Sequence, residues 1–205
     1  MLDHLVYAAP DVAGAADALA AALGVRPATG GRHPALGTHN ALLSLGTGRY
    51  LEVIGPDPDA PAPGRPRPFG IDDLDAPRLV TWAMAVTGIE DRVAACRQRG
   101  YDPGPVTALQ RRAPDGATLS WRLTMPTGAG GGLVPFLIEW DAGIRHPSLT
   151  APGGVMLAGL RATHPDPASV ETALAAVGAE LEVAPGTAPR LTAELRGPGG
   201  AVTLR

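Results

Sequence analysis

With 205 residues, 45% of them hydrophobic, the chain is long enough for one large domain or two small ones with a sizeable core. Its formal charge of −3 argues against a nucleic-acid or anionic-membrane partner, each of which would need a basic surface. All 17 basic residues are arginine, which excludes Schiff-base chemistry and a phosphate-loop lysine.

In chain order, Leu2 to Ala9 reads as a strand with His4 inside it. Pro10-Asp11 breaks the extended pattern, and Asp11 is placed to cap a helix over Val12 to Leu23 that Gly24 closes. Residues 26–38, rich in Gly, Pro and His, read as a loop. Asn40 to Leu45 and Tyr50 to Ile54 are strands joined by Gly46-Thr47-Gly48. Six prolines between residues 55 and 70 make an exposed connection, either a linker or a loop closing over a site. Leu79 to Val86 is again a strand, and Ile89 to Arg99 again a helix ended by Gly100. Cys96 sits in that helix as a structural thiol. Strands follow at Thr118 to Met125 and Leu133 to Trp140, separated by Gly128 to Gly132. Residues 79–141 thus repeat the order of residues 2–54. A shorter copy begins with a strand over Val155 to Thr163 and a helix opened by Pro165-Asp166 and closed by Gly178. Two last strands are expected at Arg190 to Arg196 and Ala201 to Arg205. The boundaries implied are a first module over 1–55, a Pro-rich connection over 56–78, a second module over 79–148 and a partial third over 149–205.

Side chains alternate along a strand, so His4 shares a face with Val6 and Ala8, and Glu52 with Tyr50 and Ile54. If the two strands belong to one curved sheet, an imidazole and a carboxylate can enter one concavity. A carboxylate in an apolar strand is costly to bury without a partner or a task. Between helix and strand, Gly30-Gly31-Arg32-His33 and Gly37-Thr38-His39-Asn40 collect polar groups that could converge on its mouth, Arg32 able to hold a carboxylate through two parallel bonds. His146 follows Trp140-Asp141 closely enough to border the same pocket. The glycines follow a helix rather than opening one, unlike a dinucleotide fingerprint, and no serine has a nucleophile-elbow context.

Tandem strand-helix-strand-strand-strand modules with His on a first strand and Glu on a last one resemble the vicinal oxygen chelate superfamily. Leu2 to Tyr7, Pro10-Asp11, Gly30 to Pro34, Gly37 to Leu42 and Tyr50 to Ile54 carry the likeness, and within the superfamily look most like its bacterial glyoxalase-like domain group. Phe136 to Asp141 and His146-Pro147-Ser148 look like the end of that group's second module. The resemblance implies an α+β fold of tandem βαβββ modules forming a cupped mixed sheet, with a partial βαββ module at the C-terminus. It implies a divalent metal held by His4, Glu52 and Glu139, the fourth position falling on Thr81, a poor ligand that His33 or His39 could replace. Glu139 and His39 would be catalytic, and Arg32, His33, Asn40, Trp140 and His146 would touch substrate. The expected activity is lyase, isomerase or dioxygenase chemistry on a small oxygenated molecule; the alternative is a non-catalytic protein that sequesters one. No membrane-length apolar run and no leader pattern are seen, so a cytoplasmic monomer or homodimer is expected.

Overall fold

The computed structural model describes residues 1–61, 63–112, 116, 118–125 and 129–205; Gly128, at the start of the glycine-rich piece, lies outside them. In chain order the elements of the large sheet region are β1 (Leu2–Ala8), α1 (Val12–Leu23), β2 (Ala28–His33), β3 (Thr38–Ser44), β4 (Tyr50–Pro56), β5 (Arg78–Ala85), α2 (Ile89–Gln98), β6 (Val106–Arg112), β7 (Thr118–Thr124) and β8 (Phe136–Trp140). They are followed by β9 (Met156–His164), α3 (Pro167–Val177), β10 (Glu182–Pro185), β11 (Arg190–Gly197) and β12 (Gly200–Leu204).

Eight strands form one sheet in the order β2-β3-β4-β1-β5-β8-β7-β6. β1 runs parallel to β4, β5 parallel to β8, and the two halves join antiparallel through β1 and β5. This is the tandem βαβββ arrangement, two like modules back to back. The sheet curls until its edges approach each other: a side-chain carbon built on Gly31 in β2 would meet the Arg112 carbonyl of β6 at 2.7 Å. The C-terminal strands make a second sheet in the order β10-β9-β11-β12.

Alternation sorts the large sheet into two apolar faces. Leu5, Leu43, Leu51, Val53, Trp82, Met84 and Leu137 point outward against α1 and α2, and their cluster continues through Val170, Leu174, Leu191 and Leu195 of the C-terminal unit. Val6, Ala8, Ile54, Ala83, Trp121, Phe136 and Ile138 line the concave face. The helices begin and end where local chemistry allows. The Asp11 carboxylate accepts from the Ala13 amide at 3.0 Å, and Gly24 takes the left-handed conformation at φ 74° that ends α1.

Three strands escape the sequence pattern. Residues 28–33, expected as loop, are β2: Gly30-Gly31 interrupts its ladder with β3, so the polar alternation is lost. β6 and β10 were likewise not expected, and β10 adds a strand to the C-terminal unit. The proline-rich connection is not a free linker. Ile71 is buried, Asp57 is buried, and the Arg67 guanidinium donates from Nε to the Gly37 carbonyl at 2.8 Å, which holds this stretch over the β2–β3 turn.

Candidate active site

Parallel pairing of β1 with β4 sets His4 opposite Tyr50 and Val6 opposite Glu52. His4 and Glu52 therefore emerge side by side on the concave face, with His4 Nε2 3.9 Å from Glu52 Oε2. That gap is too long for a direct hydrogen bond. The His4 ring stacks on Tyr50 at 4.6 Å between centroids and meets the edge of Phe136 at 5.5 Å.

Each member of the pair is held from behind by a buried polar group. Asn40 Nδ2 donates to Glu52 Oε1 at 2.6 Å, while its Oδ1 accepts from the Gly31 amide at 2.8 Å. Gly30 makes room for that amide side chain, since a β-carbon there would lie 2.1 Å from Asn40 Oδ1. Asp3 Oδ1 lies 2.6 Å from His4 Nδ1. Strict alternation would send Asp3 to the opposite face from His4. The β1–β5 register slips here, Leu2 facing Met84 and His4 facing Ala83, so Asp3 is the extra residue of a bulge and turns inward.

Asp3 Oδ2 accepts from Trp140 Nε1 at 3.0 Å and faces His146 Nε2 at 3.1 Å. His146 Nδ1 accepts from the Ser148 amide, so in the neutral ring Nε2 carries the proton and donates it to Asp3. Burial works against the Asp3 charge, but bonds from His146 and His4 and the charges of both rings outweigh it. Its carboxyl sits well below the usual range. An ionised Asp3 fixes the proton on His4 Nδ1 and leaves Nε2 facing Glu52. Burial foremost, with the Asp3 and Glu52 charges, pushes the Tyr50 hydroxyl well above its ordinary pKa.

The other expected site residues divide between the faces. His33 points inward, its Nδ1 3.1 Å from Thr38 Oγ1 and its ring edge-on to Trp121 at 6.3 Å. Burial foremost lowers its pKa, which favours the neutral ring. Arg32 and His39, partners in the β2–β3 register, alternate away from the inner face. The Arg32 guanidinium is spent on Asp57 and Asp59, each at 2.5 Å. Glu139 does not join His4 and Glu52, because it alternates with Ile138 and Trp140 and lies outward on β8. There it accepts from the Gly88 amide at 2.6 Å and the Ile89 amide at 3.2 Å and pairs with Arg122. These amides and the Arg122 charge outweigh its partial burial and lower its pKa. Thr81 lies inward, opposite Val6 and buried.

Two groups went unmarked in the sequence: Asp3, which only the bulge turns inward, and Arg111 on β6, an inward-facing arginine 7% exposed. A run of Arg111-Arg112 in a strand that its pattern did not reveal offered no signal. A cavity of about 960 Å³ opens beside the inner face, bounded there by Phe69, Thr81 and Phe136 and on its far side by Arg190 and Arg205. It does not itself contain His4 or Glu52, which are 4% and 9% exposed; Phe136, in contact with the His4 ring, separates them from it.

Comparison with known proteins agrees with this architecture. A family model for the glyoxalase-like domain matches residues 2–178. A hypothetical protein from Staphylococcus aureus is similar in structure with a TM-score of 0.67 at 10% identity, over 100% of this chain and 98% of that one. Methylmalonyl-CoA epimerase from Mycobacterium tuberculosis shows a TM-score of 0.44 at 19% identity, over 68% of this chain and 85% of that one. A methylmalonyl-CoA epimerase in complex with methylmalonyl-CoA and NH4+ shows 0.47 at 18% identity, over 71% and 97% of the two chains. Among curated proteins none matches. Among the described residues no helix is long and apolar enough to cross a membrane.

Proposed function

The chain belongs to the glyoxalase-like domain family, a group within the vicinal oxygen chelate superfamily, and on that footing we propose that its inner face carries out proton-transfer chemistry on a small carbonyl compound. The observation that carries this reading is the pair of His4 and Glu52, 3.9 Å apart, each locked by its own buried partner. Glu52, oriented by Asn40, takes a proton from the carbon beside a carbonyl. His4, with its Nδ1 held by Asp3, turns Nε2 toward the oxygen on which charge develops, where a proton carried on Nε2 is donated to it. A molecule in the adjoining cavity would meet the pair only after the Phe136 ring, which lies between them, moves aside. Return of the proton to the same or a neighbouring carbon makes the reaction an isomerisation; loss of a leaving group makes it a lyase step.

The divalent ion implied by resemblance does not fit these residues. His4 Nε2 and Glu52 supply two donors, Thr81 is a weak third, and Glu139 and His39 face outward. Among the described residues no three His, Cys, Asp or Glu side chains stand together as a metal site. A stable divalent site needs three or more such donors. No step is therefore assigned to a metal.

Proton NMR in D2O tests the reading through deuterium uptake beside the carbonyl of a panel of small ketones and 2-oxo compounds. Wild type is expected to accelerate exchange, and Glu52→Gln to lose about 10²- to 10⁴-fold of it. Exchange unchanged in Glu52→Gln would remove Glu52 as the base. Thr81 at the fourth superfamily position favours the second reading, a non-catalytic small-molecule binder. Saturable binding with no exchange at all would establish that reading instead.

A further inference from the structure

Arg111 is a buried charge that the proton-transfer chemistry leaves unused. It is 7% exposed, and its Nη1 has no hydrogen-bond partner among the described residues. A guanidinium keeps its charge under all ordinary conditions, so it cannot escape the cost of burial by losing a proton. A buried donor with no partner among the described residues costs stability unless something outside them completes it.

Its position says where that partner goes. Arg111 faces Leu119 across the β6–β7 pair, next to Leu109 and Trp121 on the inner face. Curling of the sheet brings its guanidinium to the opposite edge, where a β-carbon on Gly31 would stand 2.8 Å from Nη1. Gly31 thus clears the space that the guanidinium occupies. The amide of the same glycine is bonded to Asn40, which in turn holds Glu52. Both His33 and Tyr50, on either side of this chain of contacts, feel the Arg111 charge.

Resting on the reading of His4 and Glu52 as a proton-transfer pair, we propose that Arg111 is the anion anchor of the site. The substrate is then a small monocarboxylate with a carbonyl nearby, held by the guanidinium and not by a metal ion. One guanidinium carries one positive charge to set against one negative charge, and the neighbouring Leu119, Leu109 and Trp121 suit a compact, largely apolar body rather than a polyanion such as a phosphate ester. Pairing with the guanidinium offsets the carboxylate's own negative charge, which would otherwise oppose the charge that develops when Glu52 removes the proton.

The test uses the full chain in EDTA, with pyruvate and phenylglyoxylate as carboxylate probes and their methyl esters as neutral counterparts. Thermal denaturation and tryptophan fluorescence report binding. Wild type is expected to be stabilised by at least one of the two carboxylates and by neither methyl ester. Arg111→Met is expected to melt at a higher temperature than wild type without ligand, because the buried Nη1 that lacks a partner among the described residues is gone, and to bind the carboxylate about 10- to 100-fold more weakly. Glu52→Gln is expected to bind it at least as tightly as wild type. Stabilisation by neither carboxylate, equal binding by Arg111→Met, or binding that requires added Mn²⁺ would each overturn the anchor. Failure of the two readings is distinguishable. Carboxylate binding that needs Arg111 without any deuterium exchange removes the proton-transfer reading alone; exchange that survives Arg111→Met removes the anchor alone.

Discussion

Asp3 ties together more of the candidate site's polar groups than the Asn40 that holds Glu52. Its carboxylate, 1% exposed, joins His4 on its own strand to Trp140 and His146 at the end of β8 and just beyond it. Because its folded pKa is depressed, the stability it contributes is fully present above the ordinary carboxyl pKa of about 3.9 and is lost as pH falls below that value toward its lower folded pKa. Asp3→Asn should therefore cost about 3 kcal/mol at pH 7, and the difference from wild type should shrink steadily below about pH 4. Urea denaturation across pH 2.5–7 checks this; a difference independent of pH would mean that the charge of Asp3 is not what matters. In the sequence His4 and Glu52 stood out because each is a polar residue set into an apolar strand. Asp3 did not, since a period of two assigns it to the other face.

At the scale of elements, Glu139 shows why an acidic residue on a last strand need not belong to the pocket. α2 starts at Gly88, which has no side chain to cap it, and the carboxylate of Glu139 reaches across from β8 to bond the amides of Gly88 and Ile89. A negative charge at that end also suits the helix dipole. Glu139→Gln should destabilise the protein by about 1 kcal/mol and leave deuterium exchange at wild-type rate, as measured by urea denaturation and NMR side by side. A collapse of exchange with stability intact would return Glu139 to the catalytic set. The same scale explains the missed strand β2. Gly30 and Gly31 break its ladder and its pattern, yet their missing side chains make the space that Asn40 and Arg111 fill.

For the whole molecule, the second sheet is part of the same body as the first. The outward apolar cluster runs without a break from Leu5 and Trp82 to Leu191 and Leu195. Backbone contacts reinforce it: the Gly199 amide donates to the Leu23 carbonyl at 2.9 Å and the Leu79 amide to the Arg205 carbonyl at 2.7 Å. Tryptophan fluorescence reports only residues 82, 121 and 140, whereas far-UV circular dichroism reports both sheets. The two signals should trace one coincident unfolding transition. Gly199→Val, whose β-carbon would press on Gly24 N at 2.6 Å, should lower stability by about 2 kcal/mol in both signals together. Two separate transitions would mean that the C-terminal sheet unfolds on its own.

By itself the sequence determined the module repeat, the three α-helices, two of them opened by Asp and closed by Gly, and the two strands bearing His4 and Glu52. These depend on hydrophobic period and turn chemistry, which act over a few residues and are written locally. Only the tertiary structure decided which polar groups meet. Whether a residue faces inward depends on strand register, and one bulge reverses it for Asp3. The curl that brings β6 to β2 sets Arg111 against Gly31, a contact between residues eighty positions apart that no local pattern encodes. The chemistry proposed for this site therefore rests on long-range geometry, while the scaffold that carries it was legible from the order of the residues.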